Sequence, residues 1–450
     1  MNATQQQYEQ ETRALCDFIE KSPSCYHAAA NLTELLKGAG FEELSEGKKW
    51  NLKPGGAYYV SRNASALIAF KIPRQDYIGF NIISSHSDSP SFKIKENAEI
   101  TFEKHYTTLN VEGYGGMLCA PWFDRPLSAA GKVMVKKGDK VVTRLLYFDR
   151  DLLSIVNLAI HMNRTANTEG HAYKIQKDML PIFSDGNADA SILSLVAEEL
   201  QVDKENILGT DLFLVNRMKG SIWGEKNQFF SSPKIDDLQC SYSATRALMK
   251  SSSRDHICVN AVFDNEEVGS GTKQGALSNF LSSVLHRINQ SLGKDQEDYF
   301  VALTNSFMVS ADNGHAIHPN YGGKGDPTNR PYVNGGVLLK SAANQKYTTD
   351  SVSEAIFRSI LDHAKIPYQI FTNNSDIPGG STLGNLANQQ VSLNTVDIGV
   401  AQLAMHSPYE TGGVKDTLQL TAAMSAFYGS SIQFVANGEY VIQKQSTIPD

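Results

Sequence analysis

The chain has 450 residues, 41% of them hydrophobic and 20% charged, with a formal net charge of −7. That length calls for two or more domains, and the balance is that of a globular protein in water. An acidic balance without a basic run argues against general nucleic-acid binding, and no apolar run reaches the roughly 18 residues of a membrane span. The polar N-terminus, MNATQQQYEQETRALCDF, has no apolar core, so no signal peptide is expected. Five scattered cysteines, Cys16, Cys25, Cys119, Cys240 and Cys258, form no C-x-x-C pair. They suit reduced thiols in a cytoplasm, not a disulfide framework or a cysteine zinc site.

In chain order, the first 45 residues read as helix, with Leu15, Phe18 and Ile19, then Leu32, Leu35 and Leu36, at helical spacing. Ala66–Phe70 and Tyr77–Ile83 read as strands. From about 93 to 232 short alternating runs appear, such as 132–135 and 141–147, punctuated by Gly115-Gly116 and Gly138-Asp139. The stretch Asp189–Leu200 looks helical, with Asp189 near its start. This region reads as an inserted mixed, mostly β domain. Beyond Pro233, helices near 238–250, 276–289, 351–364 and 416–428 alternate with strands at 257–263, 305–310 and 395–399. The expected architecture is an α/β three-layer sandwich with a largely parallel sheet, formed by residues 1–92 and 233–450 and interrupted by residues 93–232.

Polar residues follow the ends of the outer domain's apolar runs. Tyr77–Ile83 leads to His86 and Asp88; 257–263 leads to Asp264, Glu266 and Glu267; 307–310 leads to Asp312; 396–399 leads on to His406. Asp236 and Asp237 precede a helix, where they also read as a cap. Open α/β sheets bind ligands beyond the carboxyl ends of their strands. Mixed histidine and carboxylate ligands suit zinc, or a harder ion such as manganese. Two histidines and three carboxylates are too many for one catalytic zinc with an open position. They fit two metals about 3.5–4 Å apart sharing a carboxylate. Of adjacent glutamates, one then binds metal while the other takes a proton from water.

The set HSDSP, KIDDL, DNEEVGS, SADNGHAIHPNY and AMHSPYE resembles the aspartyl aminopeptidase family of co-catalytic zinc aminopeptidases. The resemblance covers nearly the whole chain. It implies that His86 and Asp312 hold one metal, Glu267 and His406 the other, and Asp236 bridges them. Glu266 would be the general base, and Asp88 the partner of His86's far nitrogen. The implied cofactors are two divalent ions per subunit: zinc, with manganese or cobalt as alternatives.

LKSAANQKYTTD (339–350) resembles the family's substrate loop, making Lys340 the candidate for reading an acidic N-terminal side chain, with Tyr347 beside it. Gly380 and Ser381 lie in GGSTLG, which matches a loop near the metals. IVNLAIHMNR (155–164) matches a segment whose histidine reaches a neighbouring subunit, so His161 is a candidate for stabilising the oxyanion in trans. The implied assembly is a dodecamer of dimers acting on small peptides, with neither nucleic acid nor membrane as partner, and the insertion making the dimer contact. Pro408, Tyr409, Lys346 and Gly379 depart from the family's usual residues and touch fine substrate preference. The expected function is a cytoplasmic metallo-aminopeptidase favouring Asp or Glu. The alternatives are a neutral or apolar preference, a carboxypeptidase or amide deacylase on the same scaffold, or a relative that has lost activity and serves as a binding module.

Overall fold

The structure, a computed structural model, describes residues 3–186 and 190–443. Its largest sheet is built around four parallel neighbours: His256–Phe263, Gly79–His86, Phe307–Ala311 and Asn394–Leu403. Antiparallel strands extend both edges. Ala66–Lys71 and Ala57–Arg62 lie on one side, and Glu410–Gly413, Phe229–Ser232 and Ser221–Trp223 on the other.

The central strands are buried on both faces and accordingly read as continuous apolar runs. Ile83 and Val309 enter one core with Leu238, Phe357 and Leu420 from helices Ile235–Lys250, Ser351–Ala364 and Asp416–Tyr428. Their neighbours Ile82 and Met308 point the other way, into a core with Phe280, Leu285 and Tyr299 from helices Phe280–Ser291 and Gln296–Thr304. The period-2 alternation of a strand thus makes a helix–sheet–helix sandwich. Local capping agrees with the global fold. Asp350 accepts from the Ser353 N–H at 2.8 Å and starts Ser351–Ala364.

The N-terminal helical reading resolves into two helices, Gln5–Glu20 and Cys25–Gly38, separated at Pro23. The helix expected at 276–289 begins at Phe280, because residues 264–279 form a loop with one 3-10 turn.

A second, antiparallel sheet of six strands runs from Ser91 to Asn216, with its own core of Phe92, Val111, Trp122, Leu127, Val133 and Leu212. Helix Ile192–Leu200 covers it with Ile192, Val196 and Leu200. Ser191 caps that helix, accepting from the Ser194 N–H. Asp189, expected near its start, lies outside the described residues. Residues 221–232, read from sequence with the insertion, hydrogen-bond into the edge of the large sheet instead.

Candidate metal centre

The parallel strands all end on one edge, so their last residues converge. His86 is the final residue of its strand, register-paired with Phe263, and Asp312 follows the neighbouring strand Phe307–Ala311. The His86 Nε2 lies 3.5 Å from Asp236 Oδ1 and 3.9 Å from Asp312 Oδ1. The His406 Nε2 lies 3.5 Å from Asp236 Oδ2 and 3.5 Å from Glu267 Oε2. Asp236 therefore turns one oxygen to each histidine. His86 also gathers with Glu266 and Glu267, all offering ligand atoms within 4.8 Å of one another. The five expected ligands and the expected base meet in one place.

The chain bends to permit this. Asp236 (φ −80°, ψ 111°) and Asp237 are non-helical at the head of Ile235–Lys250, and the peptide between them is cis. Asp237 Oδ2 accepts from the His86 N–H, Asp236 Oδ2 faces His406, and neither Oδ1 has a hydrogen-bond partner among the described residues, so the capping alternative is not what these carboxylates do.

The chemistry of the donor set calls for cations. Asp236 Oδ1, Asp237 Oδ1 and Glu267 Oε1 are buried and, among the described residues, have no hydrogen-bond partner. Such orphaned oxygens are rare in native folds and point to a missing ion or water. Burial, with Asp312, Asp88 and Asp236 nearby, pushes the Glu266 carboxyl up to about 8 against the opposing effect of His86. Glu267 is raised by burial and by Asp236. Burial alone would lower His406, but Asp236, Glu267 and Glu410 raise it to about 10. Carboxyls that resist ionising beside histidines that hold protons are what crowded ligands show without metal, and cations between them reverse both tendencies. The residues fit a metal centre.

Supporting contacts orient the ligands. Asp88 faces His86 Nδ1 with its carbonyl at 3.1 Å and Oδ1 at 3.4 Å. The same carboxylate accepts the N–H groups of Glu266 (3.1 Å) and Glu267 (3.2 Å). Sequence reasoning offered Asp237 only as a helix cap and gave Glu410 no role. Asp237 accepts from the His86 N–H at 3.2 Å. Glu410 accepts from the N–H of His406 (2.8 Å) and of Asp236 (3.0 Å), joining the two ligand loops. Its place four residues after His406 was the available signal.

Of the substrate candidates, Lys340 borders this cluster, its ammonium 4.0 Å from Asp312 Oδ2. Lys340 is fully buried. Its ammonium donates to the carbonyls of Asp312 (2.7 Å) and Asn313 (3.2 Å) and lies 5.2 Å from the centre of the Tyr347 ring. Burial opposes its charge, but Asp312, Tyr347 and Asp397 outweigh this and hold its pKa above the usual lysine range. Gly380 and Ser381 are exposed on a loop. The next residue, Thr382, donates to Asp397 at 2.6 Å, and Asp397 also accepts from the Thr348 hydroxyl at 2.7 Å. Asp397, unnoticed in the sequence, thereby ties both candidate substrate loops to the central sheet. His161 is exposed on the 3-10 turn Ile160–Met162 and is not among the groups gathered here.

A converging set of strand-end histidines and carboxylates on an α/β sandwich defines the class of metal-dependent hydrolases. Comparison with known proteins narrows it. Residues 18–428 match the model of the aminopeptidase I zinc metalloprotease family, M18. A probable M18 family aminopeptidase 2 of Clostridium acetobutylicum is 45% identical over 424 residues, covering 92% of this chain and 98% of the relative. One of Pseudomonas aeruginosa (strain UCBPP-PA14) is 37% identical over 427 residues, covering 93% and 98%. Among solved structures, Ape4 in complex with Nbr1 superposes with a TM-score of 0.90 at 34% identity, covering 95% of this chain and 87% of that one. The mApe1 dodecamer of S. cerevesiae gives 0.82 at 27%, covering 94% and 98%. The chain belongs to the M18 family of zinc metalloproteases, and its activity is that of a metallo-aminopeptidase.

Proposed function

We propose that the protein removes acidic N-terminal residues from small peptides at a two-metal centre, with Glu266 as general base. The observation that carries this reading is Asp236, whose two oxygens face His86 and His406 at 3.5 Å each. His86 and Asp312 would hold one ion, and Glu267 and His406 the other. Zinc suits these donors, with manganese or cobalt as alternatives. Such ions polarise a scissile carbonyl and lower the pKa of an attacking water.

Glu266 shares the cluster without being needed as a ligand. It takes the proton of that water and returns it to the leaving amine. Asp88 holds the backbone of both glutamates and so fixes which one faces the reacting atoms.

Acidic preference needs a cation near the first side-chain pocket, and Lys340 is that cation. The ammonium donates to the carbonyls of Asp312 and Asn313 and lies 4.0 Å from Asp312 Oδ2, and its third N–H is the one offered to a substrate carboxylate. Lys340→Ala is expected to weaken cleavage of Asp- and Glu-terminated substrates by about 1.5–3 kcal/mol, the value of a hydrogen bond to a charged group. Leu- and Ala-terminated substrates should lose much less. A kinetic panel of the four checks this, and an equal loss on all would show that Lys340 braces the site without reading charge.

The assembly proposed is a closed dodecamer of dimers in a reducing cytoplasm, for which the five free cysteines are suited. Val156, Leu158, Ile160 and Met162 are each at least half exposed, an apolar strip that a subunit contact would cover. His161 lies between Ile160 and Met162 of that strip, and a contact there would bring it to a neighbour's site. Mixing inactive His161→Ala subunits with inactive Glu266→Gln subunits should restore part of the activity once they exchange. Exchange shown by mass without any return of activity would remove the role in trans.

A further inference from the structure

The second sheet reaches into the metal centre through one short segment. At the end of its strand Tyr106–Tyr114, the Tyr114 hydroxyl donates to Asp88 Oδ2 at 2.7 Å and accepts from Asn265 Nδ2 at 2.8 Å. Asp88 in turn orients His86 and the backbone of Glu266 and Glu267. Gly115, at φ +78°, runs so close to Glu267 that a Cβ would stand 3.1 Å from Glu267 Cβ. The Gly116 carbonyl accepts from His406 Nδ1, and the Leu118 N–H donates to the His406 carbonyl at 3.1 Å.

Four residues from the insertion, Tyr114, Gly115, Gly116 and Leu118, thus touch the supports of both halves of the site. With Nδ1–H given to Gly116, His406 presents Nε2, the nitrogen facing Asp236 and Glu267, as the ligand atom.

We infer that segment 114–118 is a positioning element that couples metal binding to the docking of the second sheet on the first. The sheet carrying the five ligands does not orient them alone. Asp88 takes one partner from the insertion, Tyr114, and His406 takes two, Gly116 and Leu118. Coupling of this kind is reciprocal: if the docked segment strengthens metal binding, bound metal must hold the segment down by the same factor. The inference rests on the proposed ligand set but not on the proposed substrate.

The test uses the full-length protein and zinc. Tyr114→Phe removes one hydroxyl and little volume, and Gly115→Ala pushes against Glu267. Zinc affinity is measured by competition with a chromophoric chelator, and amide hydrogen exchange across 106–118 is followed with and without zinc. Loss of an outer partner typically costs 10–100-fold in metal affinity, and Tyr114→Phe is expected to lose an amount in that range. Zinc is expected to slow exchange in 106–118 in the parent, and less so in Tyr114→Phe. Should Gly115→Ala fail to fold, Tyr114→Phe alone decides. If the parent binds no zinc, the ligand assignment fails. If the parent binds zinc, Tyr114→Phe binds it equally, and exchange at 106–118 ignores the metal, the ligand assignment stands and the coupling is wrong.

Discussion

Glu266→Gln is expected to lower kcat by about 10² to 10⁴, the contribution of a positioned general base, while both metals stay bound. The substitution keeps the size of the side chain and removes its capacity to take a proton. Glu266 is partly buried, where burial raises its carboxyl to about 8 in the metal-free cluster. Cations at the neighbouring ligands would bring that value down towards neutrality, where a base works best. Its backbone N–H, held by Asp88 at 3.1 Å, is untouched by the change, so geometry and metal content are preserved. Turnover at the parental rate, with metal content confirmed by elemental analysis, would show that another group is the base.

Asp236→Ala carries the other large effect. Its two oxygens face one histidine each, at 3.5 Å, and one of them has no hydrogen-bond partner among the described residues. Without it, two cations would face each other with no charge between them, while Glu267 and Asp312 remain on opposite sides. Metal content is expected to fall below two equivalents per chain and activity with it. Two tightly held ions in this variant, measured after exhaustive dialysis, would contradict the bridging role.

Much of this site was legible because its residues follow a rule about strands. The run Tyr77–Ile83 is apolar because the strand is buried on both faces, and His86 ends it because the strand ends there. The helices at 351–364 and 416–428 lie where their periodicity put them. The strands Val337–Lys340 and Tyr368–Phe371 escaped notice, being four residues each and too short for an alternation to register. The strand Ser221–Trp223 failed for the same reason. Glu410 and Tyr114 were missed for a different reason. Glu410 binds Asp236 and Tyr114 binds Asp88 across 174 and 26 residues of chain, and the one local hint was Glu410's place four residues after His406. Lys340 shows the opposite limit. Its identity was read as a charge for substrate, while its burial and its bonds to Asp312 and Asn313 appear only in three dimensions.

The most direct test of the whole account compares one peptide with a free N-terminus and the same peptide acetylated, with metal content measured on the same sample. Only the free peptide is expected to be cut, with release of its first residue, and chelation is expected to abolish the reaction and zinc to restore it. Cleavage of the acetylated peptide, release of the C-terminal residue, or full activity after chelation with no metal remaining would contradict the account.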